Sequence, residues 1–178
     1  MKLATTIAGL TLAIGAVYST PATAEVIYSH ASQPAARCQG ALPAFETAIR
    51  KRPLAVQNEG TAASFVTCGF ETEIYQSLTG GPIAVDIYFT NNTQQDQTVT
   101  CTAVTGWAGG DNEYVAFSTT IPAVDPEEGD GNIFWEDADF EGGGMETSLI
   151  AISCNLPAGV GINDTYIVWA TGAEPASN

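Results

Sequence analysis

The chain has 178 residues, of which 20 are acidic and five basic, for a formal charge of −15. Setting aside Lys2 of the N-terminal leader leaves 4 − 20 = −16, and the four remaining cations (Arg37, Arg50, Lys51, Arg52) all precede Pro53, while 18 carboxylates follow it. Such a surface repels phosphate backbones and anionic headgroups, which excludes nucleic acid as a partner, favours cations and basic proteins, and keeps a protein dispersed.

Residues 1–24 read as a secretory signal: Lys2, an apolar run over about 3–17, then Ala22-Thr23-Ala24 as a small-residue cleavage site. Cleavage there removes the only apolar run that approaches membrane-spanning length, so no span is expected after it. The mature chain is then 178 − 24 = 154 residues, enough for one self-sufficient core. Residues 25–52 form an N-terminal segment carrying the one helix expected, at 43–51, where Leu42, Phe45 and Ile49 recur at helical spacing behind Pro43. Residues 53–178 form the main domain.

From there the pattern is period-two alternation broken by turn residues, which marks antiparallel strands. Val66, Cys68 and Phe70 share a face. Ile83, Val85, Ile87 and Phe89 share another, with Asp86 and Thr90 opposite, and a polar turn at 91–96 leads into 99–104. A glycine-rich loop at 106–112 precedes 114–117, and strands at 132–135, 149–154 and 165–171 complete the set. Seven to nine such strands predict an all-β, two-sheet antiparallel sandwich of jelly-roll or Ig-like type.

Four cysteines, Cys38, Cys68, Cys101 and Cys154, imply two disulfides in an oxidising compartment, with three pairings open. Their wide spacing and the single histidine, His30, argue against zinc. That histidine is near the mature N-terminus and no Gly-x-Ser-x-Gly elbow occurs, so nucleophilic catalysis lacks its base. Twenty carboxylates leave one enzymatic alternative, a glycoside hydrolase using an acid and a base or nucleophile about 5 to 10 Å apart.

Two stretches suggest binding instead. Residues 125–144 hold eight carboxylates, and Asp125, Glu127, Asp130, Asn132, Asp137 and Asp139 are candidate calcium ligands, although no EF-hand pattern fits. Calcium is the one cofactor implied. Trp107, in a loop too rich in glycine to bury it easily, with Asp111 and Tyr114 beside it, offers a ring and polar groups to a glycan. Trp135 and Trp169, in strand contexts, are expected in the core.

The stretch NEGTAASFVTC at 58–68, the strand ending Thr100-Cys101-Thr102, and SCNLPAGVGINDTYIVW at 153–169 resemble a broad group of small secreted bacterial proteins of uncharacterised function. In these a V-x-C strand, a C-T strand and a late C-x-LP segment recur in that order. The chain departs from them at Gly69, where proline is common, and in its acidic insertion at 125–144. The resemblance implies an exported, disulfide-stapled all-β domain and transfers no catalytic residue. Its segment order suggests the pairs Cys38–Cys68 and Cys101–Cys154, the first tying the N-terminal segment on. A secreted or periplasmic, non-catalytic domain for surface binding, adhesion or envelope structure is the function expected.

Overall fold

The computed structural model describes residues 26–70, 80–107, 109–123, 130–141, 145 and 149–171; the leader and Asp125 and Glu127 lie outside them. These residues form two antiparallel sheets facing each other across one core. Sheet A runs β3 (Ile49–Arg52), β4 (Ala55–Asn58), β11 (Val160–Thr171), β6 (Gly80–Asn91), β9 (Asp130–Glu136), with β1 (Val26–Ser32) also paired to β11. Sheet B runs β2 (Cys38–Gly40), β5 (Ser64–Gly69), β10 (Leu149–Leu156), β7 (Gln97–Gly106), β8 (Asn112–Ile121).

The eleven strands among the described residues exceed the seven to nine expected, and most of the excess is N-terminal. Residues 26–58 supply β1 to β4; β2 to β4 have only three or four residues each, and the longer β1 has no regular apolar alternation to mark it. They are held by pairing: β1 runs along β11 from Val26↔Thr171 to Ser32↔Thr165, and β3 and β4 extend sheet A beside Gly161 and Ile162. The helix expected over 43–51 is a correction of the same kind. Only one turn, α2 (Pro43–Glu46), is helical. Ile49 is buried because it begins β3 opposite Asn58, while Leu42 stays exposed; sheet pairing overrides a short helical pattern that cannot offset its own nucleation. A second turn, α1 (Pro34–Arg37), precedes β2.

Alternation supplies the core. Val85, Ile87, Phe89, Ile133, Trp135, Ile162 and Ile167 face inward from sheet A, and Val66, Cys68, Val99, Cys101, Ile152, Cys154 and Leu156 from sheet B, all buried. The disulfides are Cys38–Cys68 and Cys101–Cys154, the pairing suggested. Trp135 and Trp169 are buried as expected. The Trp135 indole nitrogen donates to the Val115 carbonyl at 3.1 Å, and its ring stacks on Phe117 at 5.9 Å, closing the edge where β8 meets β9. A buried polar N–H without such a partner would cost a few kcal/mol.

Two buried asparagines bind one end of the sandwich. Asn58 Nδ2 donates to the Ala62 and Leu156 carbonyls, both at 2.9 Å. Asn91 Nδ2 donates to those of Gln95, Ile121 and Pro122, while its Oδ1 accepts from Thr93. Asn91 therefore does more than open the polar turn that its sequence context suggests.

Candidate functional site

The far end of sheet B carries the first candidate surface. Here Trp107, Gly109, Gly110 and Asp111 lie between the end of β7 and the start of β8. Gly106 has φ +128°, and a Cβ on it would lie 2.3 Å from Asn112 Oδ1 and 2.7 Å from the Asp111 carbonyl, so only glycine fits. Gly109 has φ +83°, and the Gly110 N–H donates to the Trp107 carbonyl at 2.9 Å. This tight turn holds Trp107 on the surface, 50% exposed.

Beside it is a groove of about 390 Å³ lined by Phe70, Val104, Trp107, Asn112, Leu149 and neighbouring backbone. Register defines the face. Leu149 and Asn112 both oppose Gly106, and Tyr114 opposes Val104, so all point outward at this corner. Tyr114 is 65% exposed and Leu149 46%. Of the three residues expected to bind a glycan, Trp107 lines the groove, Tyr114 stands on the same outer face, and Asp111 is exposed at the turn without lining it; Asn112 takes the polar position. A larger hollow of about 630 Å³ beside α2 offers Leu42, Pro43 and Glu46 but no aromatic ring. The Glu46 carboxylate there already accepts the Gly40 N–H.

The acidic stretch is divided by the fold. Ile133 and Trp135 point inward from β9 and Phe134 points outward, 46% exposed. Of the candidate calcium ligands, Asp125, Glu127 and the Asp130 side chain fall outside the described residues. Asn132 Nδ2 donates to Asp86 Oδ1 at 3.1 Å. Asp139 Oδ2 accepts the Glu136 N–H at 2.9 Å across the 3-10 turn Asp137–Asp139, and Asp137 Oδ1 accepts the Met145 N–H at 3.0 Å. The Asp139 carboxylate thus serves in a capping box and that of Asp137 holds the backbone at Met145. Among the described residues no group of three or more His, Cys, Asp or Glu side chains is close enough to hold a metal.

The outer face of sheet A is the surface that residue-by-residue reading missed. Across β9, β6 and β11 the register aligns Phe134, Asp86 and Tyr166 in one row and Asn132, Tyr88 and Asp164 in the next. The rings of Tyr88 and Tyr166 meet edge-on at 5.7 Å. A hydrogen bond to Asp86, then that carboxylate's charge, holds the Tyr88 phenol above the usual tyrosine value of 10.0. The signal available in sequence was parity: once Val85, Ile87 and Phe89 face the core, Asp86 and Tyr88 must face out.

Neither a protein-family model nor a curated protein matches the chain. Similarity to solved structures is remote. An exo-β-1,3-galactanase from Phanerochaete chrysosporium with galactose aligns over 79% of this chain at 14% identity and a TM-score of 0.41, and this chain spans only 29% of that enzyme. A family 11 carbohydrate-binding module from Clostridium thermocellum, in complex with a mixed-linked tetrasaccharide, aligns over 90% of this chain and 94% of its own at 10% identity, TM-score 0.39. The module TmCBM61 with β-1,4-galactotriose covers 82% and 88% at 14% identity, TM-score 0.35. At these scores the fold is assigned on this chain's own strand pairing. Among the described residues no helix is long and apolar enough to cross a membrane.

Proposed function

We propose that this chain is an exported, non-catalytic glycan-binding domain whose binding end is the Trp107 corner of sheet B. The observation that carries the reading is the half-exposed Trp107 ring, fixed beside a groove by a turn that tolerates no side chain at Gly106. A rigid ring loses little entropy when a sugar stacks on it, and apolar stacking flanked by a few polar groups is how a flat, wet ligand is held. Asn112 and Tyr114 supply those polar groups. The outer face beyond them narrows the ligand class. Along β5, β10, β7 and β8 the outward positions carry hydroxyls, amides and small or apolar side chains and no charge, in a chain with 20 carboxylates. A neutral polysaccharide meets no repulsion on such a face, whereas a uronic-acid polymer is repelled by the molecule as a whole. The paired disulfides fit folding in an oxidising compartment.

The test is isothermal titration of neutral and uronic oligosaccharides against the purified chain. Neutral ligands are expected to bind, with Trp107→Ala lowering affinity at least ten-fold and leaving stability within about 0.5 kcal/mol, as for an exposed side chain. Absence of binding to any neutral glycan, or binding that Trp107→Ala leaves intact, overturns the reading.

A further inference from the structure

The outer face of β9, β6 and β11 differs in kind from the Trp107 corner, and its chemistry points to a different ligand. Phe134 lies mid-strand yet 46% exposed, where a polar residue would cost nothing. Directly across from it is Asp86, and across from Asp86 is Tyr166. Tyr88, in edge contact with Tyr166, lies opposite Asp164 on one side and Asn132 on the other. Rings and carboxylates thus alternate over three adjacent strands.

No Lys or Arg follows Arg52 in the sequence. Arg50 and Arg52 both pair with Glu59 at the far edge of sheet A. Among the described residues neither Asp86 nor Asp164 has a cationic partner. Aromatic faces carry negative quadrupole density and attract cations lying over them, most strongly when carboxylates stand beside the ring. Arginine suits such a site best, since its planar group stacks on a ring while its N–H fork reaches a carboxylate.

We infer that this face binds the guanidinium side chains of a basic partner polypeptide, with Phe134 and Tyr166 as the stacking rings and Asp86 and Asp164 as the acceptors. The inference is independent of glycan binding at Trp107. Charge complementarity selects the occupant: the two carboxylates lack a cationic partner among the described residues, which a guanidinium supplies and a neutral sugar does not, and an anion is repelled.

Titration of the full chain with an N-acetylated tetra-arginine peptide at physiological ionic strength, followed by calorimetry and by amide chemical shifts, tests it. The peptide is expected to shift resonances of β6, β9 and β11. Phe134→Ser and Tyr166→Ser, which leave the net charge unchanged, should each weaken binding at least five-fold, and Asp86→Asn should weaken it more than Glu141→Gln, which removes the same charge elsewhere. Phe134 is exposed enough that its variant keeps the fold, so it carries the test if Tyr166→Ser does not fold. Equal losses for Asp86→Asn and Glu141→Gln with none for Phe134→Ser would reduce the effect to net charge and overturn the site. So would shifts on this face caused by a neutral oligosaccharide and not by the peptide.

Discussion

The two outer faces of this sandwich are built over similar inner layers and yet have opposite surface chemistry. Sheet A presents rings and carboxylates, Phe134, Asp86, Tyr88, Tyr166 and Asp164. Sheet B presents Thr98, Thr100, Thr102, Ser118, Thr120, Ser153 and Asn155, and its hydroxyls bond to each other across strands, Thr100 to Ser118 at 2.7 Å and Thr98 to Thr120 at 3.4 Å. Because every second strand residue is excused from the core, the fold constrains neither face. A charge of −15 spread over the chain therefore says little about any one surface; the register decides where it falls.

The comparison can be broken at its shared layer. Trp135→Ala removes the fully buried ring that stacks on Phe117 and bonds to Val115 across the seam, and should cost about 3 to 5 kcal/mol. Urea unfolding should show this as a lower midpoint, with both faces lost in one transition. Removing the Cys101–Cys154 bridge with two serines sharpens the comparison, because it acts on sheet B alone. A closed loop with a sequence separation of 53 residues is worth about 4 kcal/mol on chain-entropy grounds, and engineered removals commonly return roughly 2 to 4. Hydrogen exchange should rise more in β7 and β10 than in β6 and β11. If both sheets loosen equally, the faces rest on one inseparable unit.

The smallest effect belongs to sheet A. Tyr88 keeps its proton more tightly folded than unfolded, because Asp86 accepts its hydrogen bond and repels the phenolate. Its contribution to stability is thus fully present below the usual tyrosine value of 10.0 and is lost as pH rises through the raised folded value. Ultraviolet titration should place one tyrosine above the usual value of 10.0, and Asp86→Asn should lower it toward that value. No change on that substitution would remove Asp86 as the cause.

Much of the architecture was legible in single residues. The alternation in β6, β7, β10 and β11 revealed their inner faces, and the glycines around Trp107 announced an exposed ring. The N-terminal strands were not legible. β1 has its partner in β11 at the other end of the chain, and Ile49 satisfies a helical spacing and a strand position equally well until Asn58 is set opposite it. The sheet A face was hidden for a similar reason: Asp86, Phe134 and Tyr166 are strangers in sequence, and only the pairing of three strands makes them neighbours. Phe134 stands between Ile133 and Trp135, both buried, yet parity turns it outward.

Both disulfides lie inside sheet B, joining directly opposed residues of adjacent strands, and the segments they enclose, 38–68 and 101–154, neither overlap nor nest. The two sheets are tied to each other by other means: Asn58 reaching Leu156, Asn91 reaching Ile121, and Trp135 reaching Val115. For a chain emerging N-terminus first, the first bridge can close before the second pair of cysteines has appeared. β11, in the middle of sheet A and outside both loops, pairs with β1, β4 and β6 and follows all three in sequence, so sheet A closes only once it has emerged.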